Sequence, residues 1–206
     1  MKVLILGGTG LIGSAVVKNA PDMTELYAIG RRLPDGIEKE NFIQTDFQTG
    51  FDFPKNMDVL VIAFGTTIGK VKSKDKFHFV DVEIPKMVLK MAKETGVKKV
   101  LLVSSIGTSQ KAKSFYLKCK WELEQFLVDL DFENFTIYRP SMLRGNRQEF
   151  RWKEELGLII MRPLEKLMPK LMRSYASVSD EKLANRIWKD ASQNVDFKGV
   201  LESNSI

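Results

Sequence analysis

One short glycine-rich stretch near the amino terminus restricts the fold more than any other feature of the sequence. The apolar run Val3–Leu6 leads directly into Gly7-Gly8-Thr9-Gly10-Leu11-Ile12-Gly13, and a helical pattern, Leu11–Asn19, follows. Glycines at this spacing permit a sharp turn, a close approach of the backbone to a diphosphate, and tight packing of a helix on a strand. The free N–H groups at the helix start then face the diphosphate. The sequence therefore predicts a dinucleotide-binding turn, with contacts from Gly7, Thr9, Gly10, Leu11, Ile12 and Gly13.

Short apolar runs alternate with helical patterns along the rest of the chain, which is typical of parallel βαβ units. The predicted strands are Val3–Leu6, Leu26–Ile29, Phe42–Gln44, Val59–Ala63, Val100–Val103 and Thr136–Tyr138. The predicted helices are Leu11–Asn19, Val82–Glu94, Phe115–Leu130 and Asp180–Ser192. This order predicts an α/β fold of the Rossmann type, a doubly wound and mainly parallel sheet with helices on both faces. We expect residues 1–206 to form a single domain, with Arg144–Ser177 as a small elaboration on the substrate side.

The scarcity of cysteine and histidine excludes several kinds of site. Cys119 is the only cysteine and His78 the only histidine, which excludes an internal disulfide and a zinc site of the usual ligand types. The Gly-x-Ser-x-Gly elbow of many hydrolases is absent as well. One cysteine suits a reducing compartment, and the sequence has neither a signal-peptide pattern nor a run of about 20 apolar residues. We therefore expect a cytoplasmic protein without a transmembrane segment.

The formal net charge of +6 favours anionic ligands in a general way. The lysines are spread over the chain without a basic tail, which is the pattern of a solvated surface rather than of a nucleic-acid module. We expect a small-molecule substrate and no nucleic acid. A homodimer or a protein partner stays open at this point.

Two arginines follow the second predicted strand, Leu26–Ile29, in the sequence Gly30-Arg31-Arg32. A site that prefers NAD(H) ends this strand with an acidic residue that holds the ribose 2′-hydroxyl. Guanidinium groups instead suit a 2′-phosphate, because their planar N–H donors match phosphate in charge and geometry. Arg31 and Arg32 therefore predict NADP(H) rather than NAD(H), the alternative being two solvent-exposed arginines.

Two later strand ends are predicted to reach the same ligand, because ligands of open α/β sheets gather at the carboxyl ends of the strands. Asp46 follows Phe42–Gln44 and is a candidate acceptor for the adenine amino group. After Val59–Ala63, the residues Phe64, Gly65 and Thr66 form a second glycine turn where the centre of the cofactor should lie. Each of these segments, taken alone, could also be an ordinary loop, and this alternative is stronger for Asp46 than for Gly65.

A pair of serines and a Tyr-x-x-x-Lys pair follow along the chain, and together they offer the side chains that proton transfer needs. Ser104 and Ser105 end the strand Val100–Val103, and Tyr116 and Lys120 lie one turn apart on the predicted helix Phe115–Leu130. The Lys120 ammonium and an oxidised nicotinamide are expected to stabilise a tyrosinate at Tyr116. In this hypothesis Lys120 also holds the nicotinamide ribose, Ser104 or Ser105 binds the substrate oxygen, and Tyr116 transfers the proton. The alternative is the polar face of an ordinary amphipathic helix.

Taken together, these motifs resemble the atypical short-chain dehydrogenases/reductases, and more closely the Tat-interacting-protein oxidoreductase group with its bacterial NAD(P)H-binding relatives. The stretches that carry the resemblance are Leu6–Gly13, Ile29–Arg32, Phe64–Lys70, Leu102–Gly107, Tyr116–Glu124 and Tyr138–Gln148. The resemblance implies an NADP(H)-binding Rossmann fold with Tyr116 as the proton acceptor. It also implies cofactor contacts from the glycine turn, Arg31, Phe64, Gly65, Tyr116, Lys120 and Leu143. The asparagine relay of the family is not identifiable, and Asp81 lies on the helix where an amide is expected.

Three functions stay open from the sequence. The leading hypothesis is an NADPH-dependent reductase of a small carbonyl-type substrate, and Tyr116 with Lys120 favours it. A non-catalytic regulator that senses NADPH and binds a protein partner is the second, and nucleotide-sugar epimerase or dehydratase chemistry is the third. A cluster of arginines follows the last predicted strand and comprises Arg139, Arg144, Arg147 and Arg151. Two roles stay open for this cluster, recognition of an acidic substrate and ion pairing within the loop.

Overall fold

The apolar runs of the sequence form a parallel sheet of seven strands. The computed structural model describes residues 1–66, 71–141, 143–144, 178–193 and 196–206. The strands of the sheet are β1 (Lys2–Leu6), β2 (Glu25–Gly30), β3 (Phe42–Gln44), β4 (Val59–Ile62), β5 (Lys99–Val103), β6 (Asn134–Arg139) and β9 (Lys198–Glu202). Two further short strands, β7 (Leu143–Arg144) and β8 (Val178–Ser179), pair with each other in parallel.

The order of strands across the sheet is β3-β2-β1-β4-β5-β6-β9, and every neighbouring pair is parallel. The order reverses at β1, where the chain first builds outward through β2 and β3 and then returns to β4 on the other side. Leu6 is level with Ile29 of β2 and with Ile62 of β4, so these three strands end at one height. In open α/β sheets this reversal point, at the carboxyl ends of the strands, is where ligands bind.

Five α-helices of the described residues connect and cover these strands. They are α1 (Leu11–Lys18), α2 (Lys74–His78), α3 (Ile84–Glu94), α4 (Phe115–Asp129) and α5 (Asp180–Ser192). A π-helical segment, Phe79–Glu83, joins α2 to α3 without a break, and 3₁₀ turns occupy Lys39–Asn41 and Ser203–Ser205. Ser73 and Ser179 begin α2 and α5 by accepting backbone N–H bonds from Lys76 and Lys182. None of the helices in the described part of the chain is long and apolar enough to cross a bilayer.

The sheet is buried on both faces, which explains why its strands are continuously apolar. Alternate residues of β1 enter different clusters: Leu4 and Leu6 pack toward α3 and α4, whereas Val3 and Ile5 pack toward α1 and α5. The core therefore consists of two layers of side chains, one on each side of the sheet.

The predicted fold class is confirmed, and each predicted strand and helix exists with ends shifted by a few residues. The strand β9 and the short helix α2 were not predicted. β9 alternates exposed and half-buried residues and carries few apolar side chains, and α2 has only five residues, mostly charged. The prediction for Arg144–Ser177 falls almost entirely on residues 145–177, which lie outside the described residues, as do Arg147 and Arg151.

The last helix is held to the first by one buried hydrogen bond. The indole N–H of Trp188 on α5 donates to the carbonyl oxygen of Val16 on α1 at 2.8 Å. Trp188 is buried in the layer that also contains Val16 and Ile187. This contact couples the carboxyl-terminal segment to the helix that follows the glycine turn.

We predict that Trp188→Phe lowers the free energy of unfolding by about 1–3 kcal/mol, because the variant loses a buried hydrogen bond and leaves a small cavity. The same change at the half-buried Trp121 of α4 is the matched control and should have a smaller effect. Chemical denaturation of the two variants and the parent measures the difference. An equal or larger loss in Trp121→Phe would contradict the role of this contact.

Candidate functional site

The glycine turn leaves no room for side chains between β1 and α1. Gly7 has a φ of +100°, and a Cβ atom built on it would lie 2.5 Å from the carbonyl oxygen of Ala63. A Cβ on Gly13 would lie 2.0 Å from the carbonyl oxygen of Gly7. Any larger residue at either position must therefore separate the strand from the helix, so the turn is a close-packed backbone cradle.

The amino-terminal end of α1 opens into this cradle. Gly10 is the N-cap residue, and no side chain of the described residues caps the helix there. The first turn contains no acidic residue, so no carboxylate of that turn competes for its N–H groups. Unpaired N–H groups and the positive end of the helix dipole together attract an anionic group. Backbone donors and the positive end of a helix dipole thus meet at one place, which is the chemistry that an anionic group such as a diphosphate needs.

A cavity beside the cradle brings the glycine turn and the arginine pair together. Its lining residues are Gly7, Gly8, Thr9, Ile29, Gly30, Arg31, Arg32, Pro34, Phe47 and Phe64. The side chains of Arg31 and Arg32 are exposed at its rim. The cavity thus joins the residues predicted to hold a diphosphate to those predicted to hold a 2′-phosphate.

Phe47 forms part of the cavity wall and was not predicted. Its backbone is left-handed, with a φ of 65°, and its side chain is buried against Phe51 and Phe64, with ring centroids 5.8 and 5.9 Å away. The preceding Asp46 is exposed, and its carboxylate accepts the backbone N–H of Gln48 at 2.9 Å. The side chain beside the cavity is therefore that of Phe47, and the adenine contact of Asp46 stays a prediction.

Tyr116 and Lys120 lie on one face of α4, as the Tyr-x-x-x-Lys spacing predicts. The Nζ atom of Lys120 is 5.8 Å from the centroid of the Tyr116 ring. Lys120 is buried, and its Nζ atom lies 3.2 Å from Oδ1 of Asp81, whose side chain is 1% exposed. The other oxygen, Oδ2, accepts the backbone N–H of Thr66 at 2.7 Å. We call Tyr116, Lys120 and Asp81 the polar trio.

The trio is linked to the cofactor turns by the loop that follows β4. Phe64 lines the cavity beside the glycine turn, and Thr66 donates to Asp81. Between them, a Cβ atom on Gly65 would lie 2.8 Å from Oδ1 of Asp81. Phe64, Gly65 and Thr66 therefore connect the two halves of the candidate site, in the position that the sequence predicts.

The charges of the trio shift the proton affinities of its members. Burial raises the pKa of the Tyr116 phenol, Asp81 raises it further, and Lys120 and a hydrogen bond with Ser105 oppose both. Burial lowers the pKa of Lys120, but the Asp81 carboxylate together with Tyr116 and Cys119 outweighs burial, so the ammonium form is favoured. Burial raises the pKa of the Asp81 carboxyl against the pull of Lys120. The expectation of a stabilised tyrosinate is thus corrected for the chain alone, because burial and Asp81 outweigh Lys120.

The two predicted serines have different surroundings, because successive residues at the end of β5 point in opposite directions. Ser105 forms a side-chain hydrogen bond with Tyr116. Ser104 instead donates to Oε1 of Glu124, a buried carboxylate on α4. The prediction that Ser104 is a candidate for binding substrate is therefore corrected: its hydroxyl is occupied inside the protein.

Glu124 is the centre of a second buried network, on the side of α4 facing β6. Arg139 donates to both of its oxygens, at 3.1 and 2.6 Å, and also contacts Glu202 at 3.2 Å. For Arg139 the structure thus favours the ion-pairing alternative over substrate recognition. The side chain of Arg144 lies outside the described residues, and so does that of Leu143, whose backbone is in β7.

The sequence predicts no role for three residues that the structure places at the site, namely Phe47, Asp81 and Glu124. Asp81 carries a detectable signal, since it is a carboxylate at a helical position between Val80 and Val82. Glu124 continues the spacing of Tyr116 and Lys120 by one more turn of α4. The left-handed backbone of Phe47 has no such signal.

Comparison with known proteins relates the chain to yeast proteins in sequence and to dinucleotide-binding proteins in fold. The "Protein FMP52, mitochondrial" of Candida albicans is 36% identical over 160 residues, which cover 72% of this chain and 70% of the relative. A solved structure of MoeE5 in complex with UDP-glucose and NAD has a TM-score of 0.73 at 15% identity, covering 98% of this chain and 75% of its own. The human epimerase family protein SDR39U1 with NADPH has a TM-score of 0.67 at 17% identity, covering 98% and 73%. These structural similarities show the fold.

The relatives correct one expectation. Homologues from several yeasts, among them Candida albicans and Saccharomyces cerevisiae, carry the word mitochondrial in their names. The prediction of a cytoplasmic protein is therefore wrong. It was drawn from the low cysteine content, which is typical of any reducing compartment and does not separate one from another.

A family model matches most of the chain and identifies the family to which it belongs. The model of the NAD dependent epimerase/dehydratase family matches residues 3–154, which include the glycine turn, the loop after β4 and the polar trio. The atypical short-chain dehydrogenase/reductase resemblance is confirmed by the same match. This chain belongs to the NAD dependent epimerase/dehydratase family.

Proposed function

We propose that the protein is an NADP(H)-dependent oxidoreductase that reduces a small carbonyl-type substrate. The observation that carries the proposal is the continuous path from the backbone cradle at Gly7 and Gly13, through Phe64 and Thr66, to Tyr116. The proposed phosphate-binding end and the proposed proton-transfer end would thus lie along one edge of the sheet, as a dinucleotide that reacts at its nicotinamide requires.

Each part of the cofactor has residues of matching chemistry. The N–H groups of α1, with Gly7, Thr9, Gly10 and Gly13, would hold the diphosphate. Arg31 and Arg32, at the cavity rim, would hold the 2′-phosphate, which supports NADP(H) over NAD(H). Lys120 would hold the nicotinamide ribose. Remaining contacts of the proposed site are Leu11, Ile12, Asp46, Phe64, Gly65, Thr66 and Leu143.

The bound cofactor would supply a hydride to the carbonyl carbon of the substrate. Ser105, which is hydrogen-bonded to Tyr116, would hold the carbonyl oxygen. The Tyr116 hydroxyl would donate its proton to that oxygen as negative charge develops there. Because burial and Asp81 both favour the phenol form, Tyr116 enters this step with its proton in place.

A second candidate function is epimerase-type chemistry on a nucleotide sugar. The family name and the UDP-glucose complex of the structurally similar MoeE5 favour it. The exposed Arg31 and Arg32 weigh against it, since they suit a 2′-phosphate and MoeE5 carries NAD. A mixture of the protein, NAD⁺ and UDP-glucose in which a new sugar nucleotide forms would favour the second candidate.

We predict that Arg31→Asp weakens NADPH binding by about 10- to 100-fold and leaves NADH binding within about threefold. Charge-assisted hydrogen bonds to phosphate contribute roughly 1.5–3 kcal/mol, and only NADPH carries the 2′-phosphate. Lys39→Asp is the matched control, because it makes the same charge change at an exposed position that does not line the cavity. Fluorescence titration of the parent and both variants with each reduced cofactor gives the dissociation constants. An unchanged ratio of the NADPH and NADH constants in Arg31→Asp would contradict the assignment.

We also predict that Tyr116→Phe lowers the turnover of small aldehydes, ketones or quinones at least about 100-fold, because the proton donor is lost. NADPH binding should stay within about threefold of the parent. Tyr27→Phe, which removes a hydroxyl on β2, serves as the control and should keep full activity. NADPH oxidation followed at 340 nm measures turnover. Equal rates in Tyr116→Phe and the parent, or no oxidation with any substrate of the panel, would count against the reductase.

A further inference from the structure

Asp81 is an acidic side chain in an unusually apolar place. It lies in the π-helical segment Phe79–Glu83, next to a small cluster in which Phe77, Val82 and Cys119 are buried. A carboxylate with a side chain only 1% exposed destabilises a protein unless it is paired. Oδ2 accepts the Thr66 N–H, whereas Oδ1 is ion-paired with the Lys120 ammonium at 3.2 Å and accepts no hydrogen bond from the described residues. The ion pair with Lys120 offsets the free-energy cost of burying the Asp81 carboxylate.

The surrounding backbone is shaped to allow the pairing. The π-helical turn adds a residue to the register of the helix at Asp81, and such turns are frequent at functional sites. On the opposite side, a Cβ atom on Gly65 would lie 2.8 Å from Oδ1 and 3.5 Å from Nζ of Lys120. The loop after β4 can therefore close over the ion pair only because residue 65 has no side chain.

The net charge of the trio depends on the proton of Tyr116. With Tyr116 as a phenol, Lys120 as an ammonium and Asp81 as a carboxylate, the charges sum to zero. Loss of the phenol proton would leave one uncompensated negative charge on the half-buried Tyr116, beside the buried Lys120 and Asp81, which is unfavourable. Without Asp81, the phenol and the ammonium carry one positive charge, and loss of a proton would instead neutralise them. Burial is the largest influence and favours the phenol, and Asp81 adds to it by offsetting the Lys120 charge that favours the tyrosinate.

Other titratable groups near the trio do not alter this balance. The thiol of Cys119 is neutral at physiological pH, because burial raises its pKa to about 11. Glu122, also on α4, is paired with Lys86 and with His78, which lies 2.9 Å away. His78 is also 3.7 Å from Glu83. The Glu124 carboxylate, on the same helix, forms an ion pair with Arg139. Asp81 is therefore the carboxylate that faces Lys120 directly.

We propose that Asp81 is a positioning residue that fixes the Lys120 ammonium and keeps Tyr116 in its phenol form, so that the site is set to donate a proton rather than to abstract one. The role of Tyr116 as proton donor rests on the proposed function, whereas its protonation state can be measured without any substrate. The inference also says which direction of reaction the site favours. Reduction of a carbonyl consumes a proton, and the Tyr116 phenol holds that proton.

The test is a spectrophotometric titration of the tyrosinate of Tyr116. The signal is the absorbance at 295 nm of a protein minus that of its Tyr116→Phe counterpart, which removes the contributions of the other tyrosines. We compare the parent, Asp81→Asn, and Asp129→Asn as the matched control at an exposed position of α4. In Asp81→Asn the midpoint should fall by at least about one pH unit, since a charge within a few ångströms shifts a pKa by about 1–3 units. Asp129→Asn should titrate like the parent.

A smaller fall in Asp81→Asn, or a rise, would overturn the proposal. If Asp81→Asn does not fold, the parent itself decides: its Tyr116 midpoint should lie above the ordinary value of about 10, and a midpoint below that value overturns the proposal.

Activity gives a second and independent readout. The phenol form is the active acid in reduction, so kcat/KM should be constant at low pH and fall as pH rises through the pKa of Tyr116. In Asp81→Asn this alkaline limb should move to lower pH, which a purely structural role would not cause. If the titrations agree with the proposal but no carbonyl compound is reduced, the proposed function fails and the role of Asp81 in protonation stands.

Discussion

The contact that the rest of the structure depends on is the backbone-to-backbone approach of the glycine turn. The 2.0 Å that would separate a Cβ on Gly13 from the Gly7 carbonyl oxygen means that α1 can sit against β1 only when residue 13 is glycine. The position of α1 then directs its uncapped amino end toward the carboxyl ends of β1 and β4. The missing side chains let the helix approach the strand and, in the proposed complex, would also let a diphosphate approach the N–H groups of the turn.

The parallel register of the sheet places the second half of the site relative to the first. β1, β4 and β5 are adjacent and parallel, so the loops after them open at one edge. The turn after β1 supplies the cradle, the loop after β4 supplies Phe64 and Thr66, and the end of β5 supplies Ser105. α4 then crosses this edge with Tyr116 and Lys120 on its inner face. The candidate site is thus built from short segments, and the position of each segment is fixed by the strand that precedes it.

Features encoded by neighbouring residues were predictable from the sequence. The glycine turn, the alternation of strands and helices, and the Tyr-x-x-x-Lys spacing all depend on local patterns, and the structure places them as expected. β9 was missed because its stability comes from pairing with β6, far away in sequence, and its own residues are half exposed. Ser104 and Ser105 could not be separated, since only the direction of the strand end decides which of them meets Tyr116. Asp81 is 39 positions away from Lys120 in the sequence, so their ion pair, and with it the influence of Asp81 on the Tyr116 phenol, arises only in the fold.

The central claim is that the glycine cradle holds the diphosphate of a nicotinamide dinucleotide, and isothermal titration calorimetry of the full chain with NADPH tests it most directly. We expect saturable heat with one site per chain and a dissociation constant below about 100 µM, corresponding to a binding free energy stronger than about −5.5 kcal/mol. A Gly13→Val variant that is still folded should show no heat, because its side chain would collide with the Gly7 backbone and push the start of α1 away from the cradle. The absence of heat in the parent with millimolar NADPH and NADP⁺ would contradict the account.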